Sequence, residues 1–163
     1  QDLGRDTVTF SAWVRAPAGM AAIITGEKTD AWLYRLRMMI NDSGSVRFGM
    51  VTDTIPLPDS IETEESLWIA TNGTGTAADR TWRHITVVFA RNGDASLYID
   101  GELDKSIDIS YFASTPLDNF SFTIGLDHWK EAAWFNGLLD EVRIMRGPIS
   151  AERIRLCYET QRP

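Results

Sequence analysis

Apolar and polar residues alternate with a period of two through much of this chain. In "TVTFSAWVR" Val8, Phe10, Ala12 and Val14 share one face, and in "YRLRMMI" Tyr34, Leu36, Met38 and Ile40 do so with Arg35 and Arg37 opposite. An extended backbone points successive side chains to opposite faces, so this period marks half-buried strands. The turn "NDSG" closes the second stretch and "VRFGMV" returns from it, which predicts a hairpin. A second hairpin runs "WRHITVVFA", "RNGD", "ASLYIDG", and "FSFTIG" and "EVRIMR" supply later strands. Residues 52–81 and 125–137 read as long polar loops, and "DGELD" as a turn. Trp13 and Trp82 lie in alternating strands and are expected in the core.

One helix is predicted, at the end. Pro148 precedes Ser150 as N-cap, Glu152 suits the positive first turn, and Ile149 with Ile154 has hydrophobic-staple spacing. Many short antiparallel strands with one terminal helix describe an all-β fold, a two-sheet antiparallel β-sandwich of the jelly-roll sort with a short C-terminal helix. At 163 residues and 44% hydrophobic, the chain suits a single domain spanning 1–163.

Charge and cysteine content narrow the partners. Sixteen basic against 23 acidic residues give a formal charge of −7, with the acids spread along the chain. That balance weighs against nucleic acid and anionic membrane as partners. No apolar run approaches the ~20 residues of a membrane helix, and no charged-then-apolar signal opens the sequence, so the chain reads as a soluble, mature segment. Cys157 is the only cysteine, which excludes an internal disulfide, and with just His84 and His128 a Cys/His zinc site is excluded as well. Cys157 reads as a small buried hydrophobe.

The ordered motifs "VTFSAWVRAP", "YRLRMMINDSGSVRFGM", "TWRHITVVFARNGDASLYIDGEL", "FTIG" and "FNGLLDEVRIMRGPISAERIRLCYE" resemble the laminin G-like group of concanavalin A-like lectin/glucanase domains, from about residue 7 to 160. The resemblance implies two curved sheets face to face in a secreted or cell-surface protein. It implies a binding module for glycans or proteins, and in many members a calcium ion. It also implies a strand of the pattern apolar-x-Phe-Asp-Gly ahead of Val8, where this sequence has "QDLGRD". The domain is therefore expected to lack that strand and to carry an open sheet edge, a template for a strand from the parent polypeptide or from a neighbouring copy.

Catalysis finds little support. Retaining glucanases of this sandwich place carboxylates as Glu-x-Asp-x-Glu on one strand face, ~5 Å apart, and no such run occurs; Glu62, Glu64 and Glu65 fall in a polar loop. Ser43 in "NDSGS" reads as a turn residue rather than a nucleophile. Asp140 and Glu141 are strand neighbours, so their side chains are expected on opposite faces and not as a catalytic pair. The resemblance implies that the Asp of Gly-x-x-Asp-Glu-Val ligates calcium with backbone oxygens of the early chain, here Asp140 with the backbone of Leu3 to Asp6. The alternative is that Asp140 accepts hydrogen bonds from a nearby loop while Glu141 pairs with Arg143 or solvent.

Sugar rings stack on exposed aromatic faces while polar groups take the hydroxyls. "GLDHWKEAAWFNG", with Asp127, His128, Trp129 and Trp134, is thus the candidate contact loop; the alternative is that both tryptophans cover the sandwich edge. Asn-x-Ser/Thr sequons stand at Asn41, Asn72 and Asn119. The expected function is a non-catalytic, calcium-assisted extracellular module recognising glycan or protein. The alternatives are a structural subunit assembling through its open edge and, behind it, a polysaccharide hydrolase or lyase.

Overall fold

The structure, a computed structural model, describes residues 6–28, 31–51, 68–114, 117, 119–126 and 134–163. Ten strands form two antiparallel sheets. In chain order they are β1 (Val8–Arg15), β2 (Ala21–Lys28), β3 (Ala31–Ile40), β4 (Ser45–Val51), β5 (Trp68–Thr76), β6 (Arg83–Phe89), β7 (Asp94–Ile99), β8 (Glu102–Asp108), β9 (Phe120–Ile124) and β10 (Leu138–Arg146), followed by helix α1 (Ala151–Thr160). One sheet has the order β10-β1-β6-β7-β8 and the other β5-β4-β3-β2-β9. This is the jelly-roll sandwich expected from the alternation.

The turn chemistry sets the hairpins. Between β3 and β4, Asn41 Oδ1 accepts from the backbone N–H of Ser43 (3.0 Å) and of Ser45 (3.1 Å), and Gly44 takes φ 84°. Ser43 is thus a turn residue. Between β7 and β8, Asp100 (φ 52°) and Gly101 (φ 85°) form a two-residue loop with both residues left-handed, which matches the twist of the flanking strands.

The sandwich interior holds Val8, Phe10, Ala12 and Val14 of β1 against Leu36, Met38 and Ile40 of β3, with Val87 and Phe89 of β6. Phe10 packs edge-on to Phe89 (5.3 Å between ring centroids) and, across the sandwich, to Phe122 of β9 (5.7 Å). Each such pair adds about 0.5–1.5 kcal/mol to area burial. At the opposite seam Asp104 of β8 reaches the backbone of β5. Its carboxylate accepts from Thr74 N–H (2.7 Å), Thr74 Oγ1 (2.6 Å) and Gly75 N–H (2.8 Å). Gly73 allows this approach, since a Cβ there would stand 2.6 Å from Asp104 Oδ2.

Trp13 is fully buried, yet not in the interior with its neighbours Ala12 and Val14. It lies on the outer face of its sheet, stacked on Tyr158 of α1 (5.7 Å, 27° between planes) and beside His84 (5.2 Å). The helix therefore supplies a second layer, and β1 is buried on both faces along nearly its whole length. Ser150 caps α1 by accepting from Arg153 N–H (3.2 Å), and Ile154 and Cys157 are its buried residues. The cap, the acidic first turn at Glu152 and the buried cysteine are as the sequence predicts.

Several expectations need correction. β5 lies inside the stretch read as a polar loop, because its backbone pairs with β4 although its side chains lack alternation. "DGELD" is a turn only at Asp100–Gly101, and β8 follows at once as a largely exposed edge strand. Trp82 precedes β6 and is half-buried, outside the strand that was expected to place it in the core. Arg37, opposite the apolar face of β3, is 3% exposed.

The last correction concerns Asp140 and Glu141. Register along β1 and β10 runs Phe10↔Ile144 and Ser11↔Arg143, then Trp13↔Asp140 and Val14↔Leu139. Two steps on β1 therefore face three on β10, a β-bulge. Glu141 carries it, with φ 49°, a conformation in which a non-glycine residue is strained. Plain alternation fails here: Leu139 and Val142 both pack against the interior.

Candidate functional site

β1 ends at Arg15, which pairs with Leu138 where β10 begins. The incoming turn of β10 lies against the outgoing chain of β1. A Cβ on Gly137 would stand 2.5 Å from the carbonyl oxygen of Arg15 and 3.0 Å from Cβ of Ala16, so only glycine fits this crossing. Phe135 anchors the turn: its N–H donates to the Gly125 carbonyl (2.9 Å) and its ring packs on the core. A third segment joins them, as Arg80 N–H donates to the Ala16 carbonyl (3.0 Å) and Arg15 Nε donates to the Arg80 carbonyl (3.0 Å).

These three segments enclose an open pocket of about 320 Å³. Its walls are Arg15, Ala16 and Pro17 on one side, Asn136 to Leu138 on another, and Arg80. Trp134 stands two residues before Asn136 and is 63% exposed, and Leu138 is 54% exposed. Neither Arg15 nor Arg80 has a carboxylate partner among the described residues, whereas nearby Arg83 is bound by both Asp79 and Asp100. The Arg83 guanidinium and the Thr81 hydroxyl hold the Asp79 carboxyl well below the usual carboxylate range, so that pair is fixed and does not serve the pocket.

A larger hollow of about 490 Å³ lies at the other end of β1, between Asp6, Arg91, Asn92 and Pro148. Its charged groups are already bonded within the chain. Arg91 is buried and donates to the Phe112 carbonyl, and Asp6 pairs with Arg146. Size favours this hollow, but polar groups committed to the fold leave little for a ligand. The smaller pocket is the better candidate.

Of the residues singled out from sequence, Asp127, His128 and Trp129 lie outside the described residues, and Trp134 is exposed. Asp140 is exposed on β10, and its Oδ1 accepts from the N–H of Glu141 (2.8 Å). Glu141 pairs with Arg143. Asp140 sits opposite Trp13 while Asp6 lies beyond Val8, which pairs with Arg146. Asp6 is thus separated from Asp140 by roughly 20 Å of strand rise, and Leu3 to Arg5, the rest of the backbone expected beside Asp140, lie outside the described residues. Among the described residues no group of three or more His, Cys, Asp or Glu side chains is placed to hold a metal ion.

His84 is buried away from the pocket, its Nε2 3.1 Å from Ser11 Oγ, and burial pushes its pKa down to about 4. It is a neutral packing residue beneath α1 and no catalytic base for this pocket. Glu62, Glu64 and Glu65 fall outside the described residues. The arginine pocket itself was missed from sequence, because Arg15 and Arg80 are 65 positions apart and no local motif joins them.

A family model described as the concanavalin A-like lectin/glucanases superfamily, laminin G type, matches residues 1–155. The chain belongs to this family. No curated protein sequence matches this laminin G domain. Solved structures similar to it include the binding domain of botulinum neurotoxin serotype G, with 18% identity, TM-score 0.66, and 98% of this chain covering 37% of that one. Another is domain 4 of AbnA, a GH43 extracellular arabinanase from Geobacillus stearothermophilus, in complex with arabinotriose, with 17% identity, TM-score 0.63, and coverage of 94% and 68%. A third is the LG4-5 domains of the mouse laminin alpha1 chain, with 12% identity, TM-score 0.63, and coverage of 91% and 38%. These likenesses show the fold. The laminin G domain spans less than half the length of the toxin and laminin chains. Among its described residues no helix is long and apolar enough to cross a membrane.

Proposed function

We propose that this laminin G domain is a non-catalytic extracellular recognition module that binds a glycan at the β1–β10 end of the sandwich. The observation that carries the reading is the pocket between Arg15, Arg80 and Asn136, with Trp134 exposed beside it in the chain. An exposed aromatic side chain two residues along the chain from a hollow lined by arginine and asparagine suits a sugar ring and its hydroxyls. Asp127, His128 and Trp129 stand five to seven positions before Trp134 in the sequence and lie outside the described residues. The arabinotriose-bound relative and the toxin binding domain support a binding role, and the laminin and extracellular arabinanase relatives support a place outside the cell.

Calcium at Asp140 would add an ion a few residues along β10 from the pocket. The expected ligands are Asp140 and the backbone of Leu3 to Asp6, of which Leu3 to Arg5 lie outside the described residues. Glycan recognition is read here without it.

The test is a glycan array followed by calorimetry on the best ligand. The double variant Trp129→Ala, Trp134→Ala is expected to lose binding with its far-UV circular dichroism unchanged. Undiminished affinity in that variant would place the site elsewhere.

Leu138 at 54% and Ile124 at 52% exposure, on the edge strands β10 and β9, favour a second reading in which the open edge takes a strand from another copy. Light scattering on the eluting chain decides it: growth of mass with concentration supports assembly, and a constant monomer mass rules it out.

A further inference from the structure

We infer that Asn136 is a self-modifying site: the Gly137 nitrogen closes a cyclic imide on its side chain, water opens the ring, and the carboxylate so formed neutralises the pocket lined by Arg15 and Arg80. This change of charge does not depend on what the pocket binds.

Asn-Gly pairs occur at 72–73, 92–93 and 136–137. Such a pair is open to the reaction because the glycine has no side chain to shield its nitrogen from the neighbouring amide carbon. The fold treats the three pairs differently. Asn72 and Gly73 lie inside β5, where Asn72 stands opposite Arg47 of β4 and Gly73 is buried. Gly93 is held on both sides, its N–H donating to the Ala90 carbonyl (2.8 Å) and its carbonyl accepting from Ile109 N–H (2.8 Å). Asn136 and Gly137 are both exposed just ahead of β10, and the Gly137 N–H makes no hydrogen bond among the described residues. No shielding residue can replace this glycine, since a Cβ there would stand 2.5 Å from the Arg15 carbonyl oxygen. The crossing of β1 and β10 therefore fixes a reactive pair in the pocket wall.

No oxidant or reductant is needed. The Gly137 nitrogen gives its proton to hydroxide and bonds to Cγ of Asn136. The tetrahedral intermediate expels the side-chain nitrogen as ammonia and leaves a five-membered imide. Water adds to one imide carbonyl and breaks its bond to the Gly137 nitrogen. Opening at Cγ yields aspartate, and opening at the main-chain carbonyl yields isoaspartate. Arg15 and Arg80 line the same pocket as Asn136 and Gly137, and their positive charge favours both the anionic nitrogen and the oxyanion of the intermediate. In the product the two guanidiniums meet a carboxylate from their own chain.

The whole chain is held in mildly alkaline buffer, folded and in urea, and each asparagine is followed by peptide mapping with mass spectrometry and by enzymatic methylation of isoaspartate. In the folded chain Asn136 is expected to convert about tenfold faster, or more, than Asn72 and Asn92, and in urea the three rates should converge. Asn136→Gln, whose longer side chain must close a six-membered ring, should abolish the conversion at this position. The new carboxyl of Asn136→Asp, followed by carbon NMR, should titrate below the ordinary carboxylate range and return to it when Arg15→Gln and Arg80→Gln are added. Equal rates at the three pairs in the folded chain, or a ranking that urea leaves unchanged, overturns the inference. An ordinary titration of the new carboxyl overturns its neutralising role, whatever the rates.

Discussion

Lowering pH should loosen this domain through one residue, His84. Its imidazole is 2% exposed under α1, against Trp13, with Nε2 on Ser11 Oγ and Nδ1 buried without a hydrogen-bond partner. Burial lowers its pKa from 6.5 to about 4; Asp100 pulls the other way, and the positive charge of Arg143 adds to the lowering. The folded chain thus keeps the ring neutral where the unfolded chain takes up a proton. Between those two values the unfolded state binds more protons, so stability is full above about pH 6.5 and falls as pH drops toward 4. At 1.36 kcal/mol per unit, the loss reaches about 2 kcal/mol at pH 5 and roughly 3 kcal/mol at pH 4. The comparison is urea unfolding of the native chain and of His84→Gln between pH 7.5 and 4.5. Glutamine keeps a hydrogen-bonding group near Ser11 and cannot titrate, so it cancels the contribution of other acids. The native chain should lose about 2 kcal/mol more than the variant between pH 7.5 and pH 5. Parallel curves, or an NMR titration placing the folded His84 above pH 6, would refute the reasoning.

Trp13→Ala should cost about 3 to 5 kcal/mol in chemical denaturation, because it empties the layer between the sheet and α1, whereas Trp82→Ala from its half-buried place should cost about 1 kcal/mol; equal losses would show the burial to be misjudged. Asp104→Ala leaves the Thr74 and Gly75 donors unanswered and should lower stability by about 1 to 3 kcal/mol, with hydrogen exchange speeding first in β5 and β8; uniform exchange across both sheets would contradict a local seam. If Asp140 holds calcium, added ion raises the melting temperature and Asp140→Asn abolishes the rise; a melt indifferent to calcium and to chelator removes the ion from this domain.

What the sequence disclosed follows from which positions pack on one side. β1, the β3–β4 and β6–β7 hairpins and α1 were legible because their burial imposes a period or a cap. β2 was passed over because it is buried continuously from Ala21 to Gly26 and does not alternate. β5, "WIATNGTGT", and β8, "ELDKSID", are edge strands held by backbone pairing and by Asp104, so their side chains carry no strong signal. Trp13 was legible as buried, but not its facing, since the helix that covers it comes some 140 residues later. Of the site, Trp134 and Asp140 were visible as residue types in a motif. The arginine pair was not, because it exists only after Ala16 and Arg80 have been brought together.

The left-handed Glu141 divides β10 into two independently phased halves. From Val142 onward the strand is in step with the interior and with α1, through Ile144 inward and Arg143 to Gln161 of the helix end (2.8 Å). Before it, Leu138 to Asp140 keep step with the pocket end of β1. One extra residue lets a single strand obey both frames, so substitutions around Asn136 and Leu138 can alter what the pocket meets without disturbing the packing beyond the bulge. Removing residue 141 would leave Leu139 and Val142 two positions apart with both still facing inward, so it would close the ladder into plain alternation and couple the two halves, and the pocket end of the strand would lose its freedom to shift alone.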